Sequence, residues 1–184
     1  MSGKLVVISG PSGVGKGTIR EVVLRRTGAE FSVSLTTRPP RPDEQDGRDY
    51  RFVGRGEFER MRDAGELLEW AEVFGELYGT PVARVRRAIE ADRTIVLEID
   101  VQGALQVHRR MPDATYVLIV PPSDEELARR IGERGTESGE AVRRRLAKAK
   151  EEIRVARQSG IYTHEVVNDD LEQAIEAVAA IVEG

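Results

Sequence analysis

The chain has 184 residues, enough for one domain with a substantial core. Hydrophobic residues make up 40% and charged residues 33%, a balance that is typical of a folded domain and excludes a disordered chain. With 28 Lys and Arg against 32 Asp and Glu the net charge is −4, so no overall positive field favours nucleic acid or an anionic membrane. The absence of cysteine excludes disulfides and thiolate metal sites, and 2 histidines are too few for a multi-histidine metal site.

The first apolar run, Leu5–Ser9, is far shorter than the ~20 residues needed to span a bilayer, and also shorter than the core of a signal peptide. We therefore expect a cytoplasmic protein with neither a membrane nor a nucleic acid as its partner. The sequence leaves open whether the protein is a monomer or a small homo-oligomer.

Strand-like and helix-like segments alternate along the chain, which is typical of an α/β fold with a parallel sheet. The strand-like runs are short and rich in β-branched residues, as expected of strands buried on both faces: Leu5–Ile8, Thr94–Ile99, Thr115–Val120 and Glu165–Val167. Helical periodicity is found at 16–26, 81–91, 101–110, 123–133, 141–157 and 170–182.

Residues 32–80 interrupt this alternation. They contain strand-like pieces at Ser32–Thr36, Tyr50–Val53 and Leu67–Val73, and a helical piece at 56–64. We interpret the segment as an insertion that forms a small lobe. A second irregular stretch, at 132–139, separates two Arg-rich helices and indicates a lid.

A phosphate-binding motif follows the first strand. Residues 10–18 read GPSGVGKGT, and the spacing of Gly10, Gly15 and Lys16 is that of a P-loop, whose backbone N–H groups surround a phosphate chain while the lysine reaches the outer phosphates. The usual Ser or Thr after the lysine is Gly17 here, and Thr18 comes one place later, so the hydroxyl normally offered to Mg²⁺ is missing from its standard position. The predicted ATP site comprises Gly10, Pro11, Ser12, Gly13, Val14, Gly15, Lys16, Gly17 and Thr18.

The insertion carries the motif that identifies the second substrate. A Thr-Arg pair, a basic residue, an acidic residue, a glycine and an aromatic pair follow at fixed spacing: Thr37, Arg38, Arg41, Glu44, Gly47, Tyr50 and Phe52. Together with EIDVQG at 98–103, RRIGERGTES at 129–138, Arg145 and VVNDDL at 166–171, this pattern resembles the guanylate kinase family over essentially the whole chain. The expected fold is therefore a P-loop α/β fold with a five-stranded parallel core sheet flanked by helices. The implied reaction transfers the γ-phosphoryl group of ATP to GMP, giving ADP and GDP, with Mg²⁺ bound as Mg-ATP.

The resemblance assigns base recognition to Glu69, and the chemistry of guanine supports that role. Guanine presents two donors on one edge, N1–H and the exocyclic amine, which one carboxylate accepts, whereas adenine has an acceptor at N1. Ser34 and Thr80 carry hydroxyls that can donate to O6, and Asp100 can accept the remaining amine proton. A site that pairs with the polar groups of its substrate rejects analogues that lack them.

The GMP phosphate is assigned to a second group of residues. Arg38 and Arg41 can bind the dianionic phosphate as forks, and Tyr50 and Tyr78 add neutral donors.

Phosphoryl transfer requires positioning and compensation of negative charge, with little covalent chemistry by the protein. Arg130 and Arg134 share a helical face if the helix that starts near 123 extends that far, and Arg145 follows the predicted lid. By resemblance these three arginines converge on the ATP phosphates, beside Lys16, when the lid closes.

Two acidic residues and an asparagine complete the expected site. Glu98 and Asp100 end a core strand, so either can hold Mg²⁺ through water, and no direct protein ligand to the metal is expected. Asn168 matches the family position that lines the adenine pocket, although an asparagine that only shapes a turn fits equally well.

We expect one guanylate-kinase-like domain with three parts: a core at 1–32, 83–125 and 151–184, a GMP-binding lobe at 33–82, and a lid at 126–150. One alternative is a guanylate-kinase-like interaction module that binds protein ligands, against which the presence of Lys16 and the arginines argues. The other is a kinase with a different acceptor such as AMP or dTMP, against which Glu69 with Asp100 argues.

Overall fold

The computed structural model describes residues 3–133 and 139–184. The strands of the described chain are β1 (Leu5–Ser9), β2 (Glu30–Phe31), β3 (Leu35–Thr36), β4 (Arg51–Phe52), β5 (Leu67–Val73), β6 (Glu76–Pro81), β7 (Ile95–Glu98), β8 (Thr115–Val120) and β9 (His164–Val167). The helices are α1 (Lys16–Thr27), α2 (Arg55–Asp63), α3 (Val82–Glu90), α4 (Val101–Arg110), α5 (Asp124–Glu133), α6 (Gly139–Ser159) and α7 (Leu171–Glu183).

A five-stranded parallel sheet with the order β2-β7-β1-β8-β9 forms the centre of the fold, which confirms the expected fold class. Its central strand is buried on both faces: Val6 and Ile8 pack with α1 and α7, whereas Leu5 and Val7 pack with α3 and α4. Because the carboxyl ends of parallel strands meet at one edge, this sheet brings the P-loop, Asp100 and Asn168 to the same edge.

A second sheet, with the order β4-β3-β6-β5, is built from the inserted segment. It has its own buried cluster of Leu35, Phe58, Leu67 and Leu77. Leu68, which follows Leu67 on β5, packs instead into the main core, between the central sheet and the helices α3 and α4. Successive side chains of a strand point to opposite faces, so Leu67 and Leu68 face different cores. The pairing of β5 with β6 is irregular between Leu67 and Glu69.

The structure corrects the strand predicted at Ser32–Thr36. Glu30–Phe31 pairs with β7 in the central sheet, whereas Leu35–Thr36 pairs with β4 and β6 in the second sheet. The chain therefore changes sheets within the predicted strand, and the side-chain pattern does not reveal this because both pieces are extended and partly apolar. Strand β6 was not predicted either, because it contains Gly79 and Pro81, which are typical of turns.

Within the described ranges, no helix combines the length and the hydrophobicity that crossing a membrane requires.

Truncation of Phe58 tests whether the buried cluster of the second sheet unfolds independently of the main core. Phe58 is fully buried in the cluster of the second sheet, so Phe58→Ala should lower the free energy of unfolding of this sheet by about 3–5 kcal/mol. Native-state hydrogen exchange should show lost protection in β6 and retained protection in β1. Phe74→Ala, at the fully exposed tip between β5 and β6, is the matched control and should change stability by less than about 0.5 kcal/mol. Equal loss of protection in both sheets would mean that they unfold as one unit.

Candidate functional site

The P-loop runs from β1 into α1, and its shape depends on two close approaches. A β-carbon on Gly10 would lie 2.2 Å from the carbonyl oxygen of Ile119 in β8. Gly15 has φ 96°, and a β-carbon there would lie 2.6 Å from Asn168 Nδ2. Asn168 is buried and donates from Nδ2 to the carbonyl oxygen of Val14 at 2.8 Å. The asparagine after β9 therefore holds the middle of the loop.

Lys16 begins α1 and folds back over the loop. Its Nζ donates to the carbonyl oxygens of Gly10 at 2.6 Å and Pro11 at 2.9 Å. The ammonium is thus held at the P-loop, where the N-terminus of α1 adds a further positive potential for a phosphate.

Two cavities border the P-loop in the described structure. The smaller, about 310 Å³, is lined by Gly13, Gly15, Thr18, Arg130, Asn168, Asp169 and Leu171. The larger, about 590 Å³, has polar walls made by Ser12, Lys16, Ser34, Arg41, Tyr50, Glu69, Tyr78, Glu98 and Asp100. The predicted phosphate-binding loop therefore lies between two cavities, and residues from both sheets line the larger one.

Glu69 is the buried carboxylate of the larger cavity. Thr80 Oγ1 donates to Glu69 Oε1 at 2.7 Å, so the proton that we expected Thr80 to offer to guanine is directed to Glu69 here. Burial, reinforced by the charge of Asp100 and opposed by the Thr80 hydrogen bond, raises the pKa of Glu69 to about 7. Asp100 is the N-cap of α4 and accepts from Gly103 N at 2.7 Å.

Arg38 and Arg41 lie on the segment between β3 and β4. Arg38 donates through both Nη atoms to Glu44, at 2.8 Å each, and Glu44 also accepts from Arg41 N at 2.8 Å. These bonds lower the pKa of Glu44 to about 2, and the Glu44 bond raises the pKa of Arg38. The Arg38 guanidinium also lies 5.5 Å from the Tyr50 ring centroid, a cation–π contact. Arg41 lines the cavity, whereas the fork of Arg38 is occupied by a carboxylate.

Two helices bring arginines to the P-loop. From α6, Arg145 Nη2 donates to Ser12 Oγ at 3.2 Å. From α5, Arg130 lines the smaller cavity and donates from Nε to Glu126 Oε1 at 2.6 Å. Hydrogen bonds from Arg129 and Arg130 lower the pKa of Glu126 to about 2. Arg134, the remaining predicted arginine, lies outside the described residues.

Glu98 faces the position that Gly17 leaves without a side chain. A β-carbon on Gly17 would lie 3.9 Å from Glu98 Oε2, an ordinary contact distance. Arg20 Nη1 lies 3.2 Å from the same oxygen, and the Arg20 guanidinium lies 4.4 Å from the Phe31 ring centroid. The described residues include no group of three or more acidic, histidine or cysteine side chains arranged to hold a metal ion.

Comparison with known proteins then settles the family. The family model described as guanylate kinase matches residues 2–184. The chain belongs to the guanylate kinase family. It is 53% identical to the guanylate kinase of Gloeobacter violaceus, over 97% of this chain and 86% of that relative, and 50% identical to that of Thermus thermophilus, over 99% and 81%. It also matches the crystal structure of guanylate kinase from Anaplasma phagocytophilum, with a TM-score of 0.78, 35% identity, and coverage of 98% of this chain and 85% of that chain.

Membership of the guanylate kinase family confirms the resemblance seen in the sequence and the class of enzyme that it implied, a nucleoside monophosphate kinase. Most of the residues predicted for GMP line the larger cavity, namely Ser34, Arg41, Tyr50, Glu69, Tyr78 and Asp100, whereas Arg38 and Thr80 do not. Of the residues predicted for ATP, the smaller cavity is lined by Gly13, Gly15, Thr18 and Asn168, and the larger one by Ser12 and Lys16.

Sequence reasoning missed the residues that hold the site residues in place. Glu44 was read only as part of the family pattern, although its position three residues after Arg41 places it to bind that residue's backbone N–H. Arg20, four residues after Lys16 on α1, gave no signal because its partner Glu98 is far away in the sequence.

Replacement of Glu69 by glutamine should stabilise the protein at alkaline pH. The folded-state pKa of about 7 lies above the ordinary value of 4.5, so the folded protein binds this proton more tightly and loses stability as the pH rises from about 4.5 to 7. The amide introduced by Glu69→Gln carries no charge, so the variant should gain about 3 kcal/mol in the free energy of unfolding at about pH 8 and nothing below about pH 4.5. Urea unfolding across this range measures the difference, with the exposed Glu66→Gln as control. A gain that does not depend on pH would contradict the prediction.

Proposed function

We propose that this guanylate kinase binds ATP on its P-loop and GMP in the larger cavity, and transfers the γ-phosphoryl group to give ADP and GDP. The observation that carries the proposal is the position of Glu69, a buried carboxylate on the wall of a cavity that the P-loop lysine also lines. One cavity thus has a group that reads a base at one side and a group that binds phosphate at the other.

Base recognition depends on the ionised form of Glu69. Guanine N1–H and its exocyclic amine donate to the carboxylate, and these donors replace the hydration that burial has removed. The bond from Thr80 fixes the orientation of the carboxylate, while Ser34 and Asp100 lie on the same cavity wall to contact the remaining polar atoms of the base. Adenine would place the lone pair of its N1 against a carboxylate oxygen.

The GMP phosphate contacts Arg41, Tyr50 and Tyr78, which all line the larger cavity. In the proposed complex Arg38 joins them by exchanging Glu44 for phosphate oxygens, since both partners offer the same two-oxygen geometry. Glu44 keeps the guanidinium in position before GMP arrives.

Transfer then follows the general pattern of phosphoryl transfer. A GMP phosphate oxygen forms the new bond to the γ-phosphorus, and the bond from that phosphorus to the bridging oxygen of ADP breaks. We assign compensation of the charge to Lys16, Arg130, Arg134 and Arg145. Arg145 already reaches Ser12 of the P-loop, and Arg130 lies at the smaller cavity that would hold the nucleotide. Gly10, Pro11, Ser12, Gly13, Val14, Gly15, Gly17, Thr18 and Asn168 complete the ATP site.

The residues near Gly17 fit a magnesium ion that is held through water. Glu98 Oε2 is buried and, although Arg20 Nη1 lies 3.2 Å away as an ion-pair partner, it accepts no aligned hydrogen bond from the described residues, so it can accept from a metal-bound water. Asp100 lies nearby on the cavity wall. When bound to the nucleotide oxygens, Mg²⁺ neutralises charge that develops on the phosphates.

The proposal retains the division into three parts. The P-loop belongs to the core, and the residues that bind GMP lie mostly on the lobe at 33–82. Arg130 of α5 and Arg145 of α6 belong to the lid at 126–150. We also propose that the enzyme acts in the cytoplasm, because its substrates are soluble nucleotides. We further propose that it is a monomer or a small homo-oligomer.

A coupled assay of ADP release tests the proposed acceptor. With GMP, AMP, dTMP and CMP side by side, GMP should be used and AMP should be rejected by ~10⁴ or more. Glu69→Gln places an amide N–H donor against the donors of guanine. The specificity constant for GMP should therefore fall by a factor that corresponds to about 2–4 kcal/mol. The exposed Glu66→Gln should retain wild-type activity. Equal use of GMP and AMP, or normal use of GMP by Glu69→Gln, would contradict the assignment.

A second prediction concerns Gly17 and Thr18. Adjacent helical residues point about 100° apart, so Thr18, which lines the smaller cavity, cannot replace a hydroxyl at position 17. Thr18→Ala should therefore weaken ATP binding and leave GMP affinity unchanged, whereas Thr18→Ser should behave as wild type. The space beside Glu98 accommodates a side chain at position 17, so Gly17→Ser should be tolerated and should lower the Mg²⁺ concentration that gives half-maximal rate.

Titration of Mg²⁺ at fixed ATP distinguishes the two positions. If Thr18→Ala raises the metal requirement while ATP affinity stays intact, Thr18 is a metal ligand and the geometric argument fails.

A further inference from the structure

The free edge of strand β5 is bound by the side chain of a core helix. Strand β5 is the outermost strand of the second sheet, and its far side faces α4. Gln106 of α4 accepts from Trp70 N through Oε1 at 3.2 Å and donates from Nε2 to the Trp70 carbonyl oxygen at 3.0 Å. One side-chain amide therefore makes the pair of hydrogen bonds that a neighbouring strand would make with this residue.

Further contacts on the same face of α4 extend this attachment. One turn after Gln106, Arg110 Nη1 donates to the carbonyl oxygens of Gly65 at 3.0 Å and Leu67 at 2.6 Å. One turn before it, α4 has Gly103, where a β-carbon would lie 3.2 Å from Glu69 Oε2. Positions 103, 106 and 110 follow helical spacing, so one stripe of α4 contacts the backbone from Gly65 to Trp70.

An apolar contact supports the same junction. Leu68, between the residues that Arg110 and Gln106 bind, is buried in the main core with Val107 and Ala104 of α4. The part of β5 next to Glu69 is therefore attached to the core by packing and by hydrogen bonds, although β5 belongs to the second sheet.

The attachment matters because the two carboxylates of the larger cavity come from different sheets. Asp100 caps α4 at the end of a core strand, whereas Glu69 lies on β5. A single base can contact both only if the distance between β5 and α4 is fixed.

We propose that Gln106 is a positioning residue for guanine recognition: with Arg110 it fixes β5 to α4, so that Glu69 stays at the distance from Asp100 that one base can bridge. This inference rests on the proposed function, because it takes the larger cavity as the GMP site.

The variant that tests this is Gln106→Met, which keeps the length of the side chain and removes both hydrogen bonds. Its matched control is Gln102→Met, at an exposed position one turn earlier on the same helix. We expect the Michaelis constant for GMP to rise about tenfold and that for ATP to stay unchanged, the factor that corresponds to about 1.4 kcal/mol of lost binding free energy. The preference for GMP over AMP should fall by the same factor, since AMP gains nothing from Glu69.

A direct readout of the junction accompanies the kinetics. The amide of Trp70 should exchange its hydrogen at least about tenfold faster in Gln106→Met, because its acceptor has been removed. Trp70 is the only tryptophan, so its fluorescence also reports a change at this strand without an added label. Arg110→Met, with the exposed Arg109→Met as control, provides a second pair of variants if Gln106→Met does not fold.

Faster exchange at Trp70 together with the lost GMP preference supports the proposal. Faster exchange with an unchanged GMP preference would mean that the Gln106 bonds are merely structural, and it would overturn the proposal. Unchanged exchange at Trp70 would overturn it as well. Failure of the proposed function is seen separately, because wild type and Gln102→Met would then show no preference for GMP.

Discussion

Glu69 keeps a carboxylate out of water at the junction of two sheets, and much of the surrounding structure makes this burial possible. Thr80 satisfies one oxygen, and the absence of a side chain at Gly103 leaves room for the other. Burial itself is the main reason that the pKa of Glu69 rises to about 7, and nearby Asp100, which has the same charge, adds to the cost. The buried carboxylate makes the free enzyme less stable, and on the proposed function the two donors of the guanine edge supply the hydrogen bonds that it lacks.

The positive groups that we assign to phosphate binding are already held by protein oxygens. Glu44 holds Arg38, Glu126 holds Arg130, and backbone carbonyls hold Lys16. Ion pairs this close to solvent add little to stability, so their main effect is on geometry. Each cation is oriented before a phosphate arrives, and binding exchanges one oxygen partner for another instead of ordering a long side chain.

The parts of this structure that could be predicted from the sequence are those whose signals are local. The P-loop occupies one short segment, and the buried strands of the central sheet are continuous apolar runs, so both were predicted correctly. Strand β2 has only two residues, too few to show a period, and β6 contains Gly79 and Pro81, which favour a turn. Segments that are too short to show a period, or that contain turn residues, are strands only because a partner strand lies beside them.

Contacts between distant residues had no such signal. The bonds between Gln106 and Trp70 join residues 36 apart in the chain, and nothing in a glutamine on a helix indicates that it will bind the backbone of an edge strand. The Arg38–Glu44 pair spans only six residues, and its members were noticed as parts of one motif, but their mutual bond depends on a turn whose shape the motif does not specify.

The position of base recognition links specificity to the repulsion between two carboxylates. Glu69 and Asp100 come from different sheets, and when both are ionised the attachment of β5 to α4 holds their like charges near each other. Guanine donors that face both carboxylates replace this repulsion with attraction. Adenine has an acceptor where guanine has its N1–H, so it leaves the repulsion in place. On the proposed function, a base that is read correctly therefore removes a cost that the free enzyme carries, and an incorrect base does not.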